Sequence, residues 1–330
     1  MAKTINEKYN NNLRALYVKD ILYKHTDEDH FLTVSEILEM LKLNYGITSI
    51  RQTIYDDIEI LVKSGYDIEC IKGRQNKYHV LSREFDIAEL RILIDAVESL
   101  QSIPSCQAKN LIKKLADLGG PSADFLMETV DVDARPRANN AKFNYIIDTI
   151  HHAIADKRQI AFKYYEYLPS TKKILKNNGK KYEVSPYRLV CCNDYYYLLA
   201  LSHDRMKVTA FRVDRISGIP TILNKTCIPE PKDLYVNKYI RESFHMKSGE
   251  PASITLQFDS DVMDAMVDRF GQEMDITFIG KDSCNAKVDV QVNNIFFAWI
   301  FGFEGKVQIK APNNIRMDYV RMISKEMARL

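Results

Sequence analysis

The sequence predicts a multidomain α+β fold in three parts: a winged helix-turn-helix at the front, a small β-barrel in the middle and a ferredoxin-like unit at the end. Three helical patterns followed by two alternating strands open the chain. Short strand patterns separated by polar turns fill the middle, and strands and helices then alternate in the order βαββαβ. A chain of 330 residues, 46% of them hydrophobic, is long enough to bury a core in each part.

Residues 1–81 carry the helix signals of the front domain. Apolar residues at helical spacing predict a first helix over about residues 7–25. Thr33 and Glu36 have the spacing of a capping box, which predicts the start of a second helix. A glycine then interrupts the pattern, and a hydroxyl residue just after it, at position 48 or 49, is expected to cap a third helix.

Alternating strands at residues 66–71 and 77–81 predict a β-hairpin wing behind the third helix. Three helices followed by a wing are typical of proteins that read DNA, with the third helix in the major groove. We therefore expect double-stranded DNA as a partner, and a homodimer, because one module makes few phosphate contacts. Glutamine suits adenine, and cations on the wing suit phosphates. The expected DNA-binding residues are Ser49, Arg51, Gln52, Thr53, Tyr55, Arg74 and Lys77.

The charge of residues 1–81 leaves a second interpretation open. Eleven Lys or Arg residues against twelve acidic residues give a net charge of −1, which is not the charge of a strong DNA binder. The alternative is a small helical domain that contacts another protein.

Residues 82–140 are predicted to form a helical connector and a linker. Periodic apolar residues predict helices over residues 83–100 and from Pro104 to about Leu118. Polar residues and proline make residues 131–140 a predicted linker.

Residues 141–228 are predicted to form the barrel, after a leading helix. Residues 135–215 hold sixteen Lys or Arg residues and seven acids, so a net charge of +9 is concentrated in this part of the chain. Four short strands with polar turns fold most readily as a small barrel. The strand patterns lie at residues 159–165, 181–190, 195–201 and 207–213.

The positive charge of the middle lies in two settings. Five lysines between residues 172 and 181 are expected in a solvated hairpin loop. Arg188, Arg212 and Arg215 instead lie in β patterns beside aromatic residues, where arginine can grip phosphate while rings stack on bases. The alternative is that these arginines pair with acids, for example Arg215 with Asp214.

Several motifs resemble those of the WYL-domain transcriptional regulators. The Trp-Tyr-Leu motif that names the family reads Tyr-Tyr-Leu at residues 196–198. Residues 185–190 (SPYRLV) and 211–216 (FRVDRI) are similar to the family's flanking elements. Residues 49–58 resemble its recognition helix, and residues 299–316 resemble its C-terminal extension, called WCX.

This resemblance implies a homodimeric regulator in which the WYL domain is an SH3-like barrel that senses a ligand. The family's barrel is thought to bind nucleic acid or nucleotides through basic and aromatic residues. By position, the implied ligand-binding residues are Ser185, Tyr187, Arg188, Tyr196, Phe211, Arg212 and Arg215. Strand alternation puts Tyr195 and Tyr197 on one face and Tyr196 and Leu198 on the other, and it leaves open which face is core.

Residues 250–330 carry the pattern of the ferredoxin-like unit. Its strands are predicted at residues 253–258, 275–279, 286–292 and 306–311. Its charge is balanced and its aromatic residues are expected in the core. Because this unit follows the predicted barrel in the sequence, it could close over the ligand of the barrel or contact a second copy of the chain.

Motifs of common enzymes and metal sites are absent from the sequence. There is no P-loop, G-x-S-x-G, H-E-x-x-H or dinucleotide fingerprint, so we expect neither catalysis nor a cofactor. The six cysteines form no C-x-x-C pair, which indicates reduced thiols and no metal site. No apolar run is long enough for a membrane helix, and the N-terminus is polar, so we expect a cytoplasmic protein without a membrane partner.

The sequence therefore predicts a ligand-responsive, DNA-binding transcriptional regulator whose WYL domain binds an anionic effector of nucleic-acid or nucleotide type. The alternative is a nucleic-acid-binding accessory protein of a defence system, which would act mainly through its basic middle domain rather than at a promoter.

Overall fold

The computed structural model describes residues 7–231, 236–247 and 249–329. It is a mixed α+β structure with curled sheets, and it divides into two compact units between Asn139 and Asn140. Residues 1–6 of the predicted front domain and residue 330 of the predicted C-terminal unit lie outside the described residues. Within the described ranges, no helix is both long and apolar enough to cross a bilayer.

The first unit begins with three helices and a small sheet. These elements are α1 (Glu7–His25), β1 (Leu32–Thr33), α2 (Val34–Tyr45), α3 (Arg51–Lys63), β2 (Ile68–Ile71) and β3 (Lys77–Val80). The antiparallel sheet has the order β1-β3-β2, and β1 was not predicted because two residues are too short to show alternation. One core joins the three helices to the sheet through buried residues such as Ile21, Ile37, Ile54 and Val80.

The structure confirms the predicted capping box of the front domain but not the predicted cap of its third helix. Thr33 Oγ1 accepts a hydrogen bond from the Glu36 backbone N–H, and the Glu36 carboxylate accepts one from the Thr33 N–H, which confirms the capping box. The prediction that Thr48 or Ser49 caps α3 is wrong. Ile50, in extended conformation, is the N-cap residue, so both hydroxyls precede the position from which a side chain could cap this helix.

Three connector helices complete the first unit. They are α4 (Ile87–Ser99), α5 (Ser105–Ala116) and α6 (Asp124–Glu128). The predicted helices correspond to α4 and α5, whereas the five-residue α6 was not predicted. Asp86 and Glu89 form a second capping box, which sets the start of α4.

Arg83 fastens the connector to the end of α1. Its guanidinium donates hydrogen bonds to the carbonyl oxygens of Tyr23 and Thr26, both at 2.6 Å, and to that of Leu118 at 3.2 Å. These carbonyls lie at the ends of α1 and α5, where helices leave acceptors without intrahelical partners. Gly120 lies against the same guanidinium with a φ of +78°.

Asp27 makes a second link in this polar joint. Its buried carboxylate accepts hydrogen bonds from the backbone N–H of Ser122 at 2.7 Å and from that of His30 at 3.0 Å, and it lies 2.7 Å from His30 Nδ1. Burial by itself raises the pKa of Asp27, but these hydrogen bonds outweigh it and lower the pKa to about 2. The connector is thus tied to the front domain by two charged side chains.

The predicted linker at residues 131–140 is not a free tether. Arg137 donates hydrogen bonds to the carbonyl oxygens of Val132 and Leu100, both at 2.7 Å, and also to that of Glu98. The Ala138 N–H donates to the Gln101 carbonyl at 2.8 Å. The chain therefore stays fastened to the loop after α4 as far as residue 138.

The second unit opens with a helix and a curled six-stranded sheet. These elements are α7 (Phe143–Ala155), β4 (Arg158–Tyr167), β5 (Lys173–Leu175), β6 (Tyr182–Cys192), β7 (Tyr195–Ser202), β8 (Lys207–Arg212) and β9 (Ile216–Thr226). The order is β5-β4-β6-β7-β8. The ninth strand, β9, also pairs with β4, on the edge opposite β6. The five lysines between residues 172 and 181 were expected in a solvated loop without regular structure. This is wrong in part, because β5 and a 3₁₀ turn form there.

The unit continues with a helix and a four-stranded antiparallel sheet. These elements are α8 (Val236–Glu242), β10 (Glu250–Asp259), α9 (Met263–Phe270), β11 (Asp275–Ile279), β12 (Ser283–Val292), α10 (Asn294–Phe301), β13 (Val307–Ala311) and α11 (Asn313–Met327). From β10 to β13 they follow the predicted element order, with the strand order β11-β12-β10-β13. Aromatic residues such as Phe258, Phe296 and Phe297 are buried in the core, as expected.

Candidate nucleic-acid interface and effector site

A buried ion pair fixes α3 against α1. Arg14 donates to the two carboxylate oxygens of Asp57 at 2.6 and 3.2 Å, and both side chains are largely buried. A buried pair of this kind is costly to break, because either partner alone would be an uncompensated charge. It holds the inner face of α3, so that the opposite face is presented to solvent.

The predicted base-reading residues divide into two groups on α3. Arg51 and Gln52 are exposed, and Gln52 Nε2 donates to Asp56 Oδ1 at 3.1 Å. Ser49 and Thr53 are half-buried. Tyr55 packs against the core, which leaves little of its ring for a base. Arg51 and Gln52 are therefore the predicted residues that are most accessible to DNA.

The β2–β3 hairpin, the predicted wing, carries three exposed cations. Lys72, Arg74 and Lys77 surround a shallow surface cleft of about 480 Å³ at the hairpin turn, and all three side chains are exposed. Long cationic side chains on an exposed turn suit phosphate oxygens rather than base edges. The predicted wing thus adds positive charge, whereas the outer face of α3 carries the acidic residues Asp56 and Glu59.

The register of β6, β7 and β8 assigns the arginines of the second unit to a face. Val190 lies opposite Tyr197, which lies opposite Arg212, and Arg188 lies opposite Leu199 in the next row. Residues directly opposite in an antiparallel pair point to the same side of the sheet. Arg188 and Arg212 therefore share one face and lie two strands apart. Tyr197 and Tyr195, the first residue of β7, lie on the same face. We call this face of β6–β8 the arginine face.

Arg212 is held on the arginine face by two neighbours. Its Nε and Nη2 donate to the two carboxylate oxygens of Asp214 at 3.1 and 2.9 Å, and its Cζ lies 3.4 Å from the centroid of the Tyr195 ring. Burial by itself lowers the pKa of Arg212, but the hydrogen bonds to Asp214 outweigh it and raise the pKa. The alternative prediction of an ion pair between Asp214 and Arg215 is wrong, because Asp214 turns back to Arg212.

The other two arginines have no carboxylate partner among the described residues. Arg188 is exposed on the arginine face. Arg215 is half-buried in the 3₁₀ turn Val213–Arg215, and its buried Nε has no acceptor within the described parts of the chain. Its charge lowers the pKa of buried Tyr164, although burial dominates there and raises that pKa to about 12. Unpaired guanidinium donors are the groups that an anionic ligand could satisfy.

Ser185 and Tyr187 fasten the chain that follows β9. Ser185 is fully buried, and its Oγ accepts a hydrogen bond from the Ile228 N–H at 2.9 Å and lies 3.0 Å from His203 Nε2. The Tyr187 hydroxyl donates to the carbonyl oxygens of Ile228 and Pro229, both at 3.2 Å. These two predicted ligand residues are used in internal contacts.

Phe211 and Tyr196 lie on the face opposite the arginines. The Phe211 ring packs against those of Phe162, Tyr164 and Tyr182, with centroids 5.3 to 6.1 Å apart. Tyr196 packs edge-on against Phe143 of α7 at 6.0 Å. The structure therefore does not bring the seven predicted ligand residues into one cluster: Arg188 and Arg212 lie on the arginine face, and Phe211 and Tyr196 lie on the opposite one.

The arginine face is partly covered by a segment that the sequence did not single out. Met246 packs against Tyr197 and Leu199, with Tyr239 and Ile240 beside it. This cover is anchored by Arg269 of α9, whose guanidinium donates to the carbonyl oxygens of Arg241 and Ser243, both at 2.9 Å. No sequence pattern marks Arg269, because its partners are backbone atoms distant in sequence. Both faces of β7 are thus buried, which is why alternation could not identify the core face.

No metal centre is evident in the described ranges, where no three His, Cys, Asp or Glu side chains are grouped around a common point.

Comparison with known proteins identifies the middle of the chain. No curated protein matches the sequence. Among solved structures, the chain is similar to proteasome accessory factor B/C (PafBC) of Arthrobacter aurescens, with 17% identity and a TM-score of 0.31, over 94% of this chain and 47% of that one. It therefore spans about half the length of that chain. It is also similar to a protein described as CRISPR Cas-related, with 14% identity and a TM-score of 0.39, over 100% of this chain and 87% of the other. The family model of the WYL domain matches residues 145–220, from α7 into β9, so this part of the chain is a WYL domain.

Proposed function

We propose that the protein is a ligand-responsive, DNA-binding transcriptional regulator that acts in the cytoplasm as a homodimer and without catalysis. In this proposal the front domain is a winged helix-turn-helix that binds double-stranded DNA. The WYL domain is an SH3-like barrel that binds an anionic effector of nucleic-acid or nucleotide type. The C-terminal unit is a ferredoxin-like, WCX-type domain.

The observation that carries the effector site is the shared face of Arg188 and Arg212. The two arginines lie two strands apart and are offset by two residues along the strands, which puts their Cα atoms about 12 Å apart. Both side chains are long enough to reach toward a common ligand, which would lie against Met246, because Met246 packs on Tyr197 and Leu199 between them. Tyr195 adds a ring beside Arg212, so that phosphate and base could be bound by neighbouring groups.

Asp214 acts in this proposal as an internal substitute for the ligand. Its two carboxylate oxygens occupy the Arg212 donors that a phosphate would use. An incoming phosphate would compete with Asp214, and its binding would release the carboxylate and the turn that carries it. Effector binding is thereby linked to a local rearrangement at residues 213–216.

DNA binding is supported by the exposed residues of α3 and the wing. Gln52 can pair with adenine in the major groove, while Arg74 and Lys77 can meet backbone phosphates. Because the front domain has a net charge of −1 over residues 1–81, we expect modest affinity per module and a need for two modules.

The test compares two sets of variants of the full chain. The first combines Gln52→Ala with Arg74→Ala, and Lys42→Ala is its control because Lys42 is exposed on α2 outside the expected DNA surface. The second is Arg188→Ala, with Arg205→Ala as its control because Arg205 is an exposed arginine in the turn between β7 and β8. The probes are duplexes selected from a random pool on the unmodified protein and a short labelled single-stranded oligothymidylate.

The proposal predicts that the first variant loses duplex binding alone and that Arg188→Ala loses oligothymidylate binding alone. Failure of the unmodified protein to enrich any duplex would contradict the regulator function. An unchanged affinity of Arg188→Ala for the oligonucleotide would contradict the effector site.

A nucleic-acid-binding accessory protein of a defence system is the second candidate. It is favoured by the contrast between the net charge of +9 over residues 135–215 and the net charge of −1 over residues 1–81. In that case Arg188→Ala would reduce binding to duplex and single strand alike, and the α3 and wing variant would bind both as the unmodified protein does.

A further inference from the structure

Asn140 uses all of its side-chain amide within the second unit. Its Nδ2 donates hydrogen bonds to the carbonyl oxygens of Asp214 at 3.2 Å and of Ile216 at 3.0 Å. Its Oδ1 accepts a hydrogen bond from the Lys142 N–H at 3.2 Å, just before α7 begins. One half-buried side chain therefore joins the start of α7 to the turn that contains Arg215.

That turn carries the carboxylate of Asp214 that orients Arg212, and it contains Arg215 itself. The two carbonyl groups that Asn140 binds flank Arg215 on either side. A shift of the turn, such as release of Asp214 from Arg212, would therefore move the acceptors of Asn140.

The chain just before Asn140 is fixed as well. Arg137 donates to backbone carbonyls of the first unit, and the Ala138 N–H donates to Gln101. Only Asn139, which is exposed, separates these anchored residues from Asn140. Two peptide bonds separate Asn140 from Ala138, which is anchored in the first unit. Few dihedral angles between them can absorb a displacement of Asn140, so the displacement would reach Ala138.

We propose that Asn140 is a positioning residue that couples occupancy of the arginine face to the DNA-reading unit. It holds the turn at residues 214–216 in the geometry that presents Arg212 and Arg215, and it passes a displacement of this turn to Ala138 and Arg137. This inference rests on the proposed effector function.

The test uses the full chain with Asn140→Asp and its matched control Asn139→Asp. Both substitutions are isosteric and add one negative charge, but only the first removes the donor and places carboxylate oxygens against two carbonyl oxygens. Oligothymidylate affinity is measured by anisotropy. Affinity for the selected duplex is then measured without oligothymidylate and at a saturating concentration of it, and the ratio of the two affinities gives the coupling.

We expect Asn140→Asp to bind oligothymidylate about tenfold more weakly, which corresponds to the loss of two hydrogen bonds. The coupling ratio should fall toward one even at saturation, while Asn139→Asp matches the unmodified protein in both measurements. A merely structural role would lower the melting temperature and leave the coupling ratio unchanged at saturation, and that outcome would overturn the proposal. If Asn140→Asp folds poorly, Asn140→Ala, which removes the donor without adding charge, must show the same loss of coupling.

Failure of the inference and failure of the proposed function are distinguishable. If the unmodified protein binds no oligothymidylate, the effector function itself is contradicted. If the unmodified protein binds it with no change in duplex affinity, the effector site stands and the coupling through Asn140 is refuted.

Discussion

Asp214 holds Arg212 by two hydrogen bonds of 2.9 and 3.1 Å while the same guanidinium lies over the Tyr195 ring. In the proposed function, these three groups are an anion site whose arginine is already paired with a carboxylate of the protein itself. This relationship gives the first prediction.

Asp214→Asn should lower stability and strengthen effector binding together. Removing the carboxylate leaves largely buried Arg212 without its counter-charge, and we expect the free energy of unfolding to fall by about 3 kcal/mol. Because the side-chain amide keeps at most one acceptor and no charge, Arg212 is released for a phosphate, and oligothymidylate should bind more tightly. Urea unfolding and anisotropy measure the two effects. Asp204→Asn, which breaks the exposed pair with Lys180, is the control and should change stability by less than about 0.5 kcal/mol. Weaker oligonucleotide binding by Asp214→Asn would contradict the idea of competition.

The salt dependence of effector binding should report the contribution of Arg188. Each phosphate contact on a single strand releases condensed counterions, so the logarithm of affinity falls with the logarithm of salt concentration by about 0.7 per contact. Arg188→Ala should reduce this slope by about one contact, whereas Arg205→Ala should leave it unchanged. The measurement is a titration of oligothymidylate at several salt concentrations. A slope near zero for the unmodified protein would show that it does not hold the oligonucleotide through phosphates, which would contradict an anion-binding arginine face.

Asp27 should make the stability of the first unit depend on pH in acid. Its pKa in the folded protein, about 2, lies below the ordinary value of 3.8, so its contribution is complete above about pH 5 and is lost as the pH falls through 2. The shift corresponds to about 2 kcal/mol. Asp27→Asn should therefore be less stable by about that amount at neutral pH, and the difference should shrink in acid. Asp29→Asn, at an exposed neighbour, is the control for urea unfolding. A difference that is independent of pH would show that Asp27 does not act through its charge.

Gly120→Ala should loosen the attachment of the connector. A Cβ at this position would lie within 2.8 Å of Arg83 Cζ, and the backbone there has a φ of +78°. Gly65→Ala is the matched control, because its φ of +94° imposes the same kind of backbone strain but nothing lies within 4 Å of the added Cβ. We expect about 1 kcal/mol of destabilisation from the control and about 2 kcal/mol more from Gly120→Ala. Thermal unfolding checks this, and equal losses would mean that Arg83 moves aside freely.

Local signals in the sequence predicted most of the regular elements. The Thr33–Glu36 capping box and the βαββαβ order of the C-terminal unit are properties of short segments, so they can be recognised without knowledge of the fold. By contrast, β9 was missed because Gly218 and Pro220 interrupt its alternation, and it forms through pairing with β4. Tertiary pairing supplied what the local pattern lacked.

The candidate site was predictable only in part, for a related reason. The sequence identified the arginines and rings, and strand alternation correctly put Tyr195 and Tyr197 on one face. It could not assign Asp214 to Arg212, because the choice between two arginines depends on the 3₁₀ turn that directs the carboxylate backward. Nor could it distinguish Ser185, which is buried beneath Ile228, from a residue open to a ligand.

The grip of Arg137 on the loop after α4 determines where the protein can be divided for engineering. A cut placed at the start of the predicted linker, near residue 131, would strip the carbonyl groups of Glu98 and Leu100 of their donor and expose polar backbone. Chimaeras that join the first unit to a different second unit should therefore retain the chain through Ala138 and place the junction at Asn139.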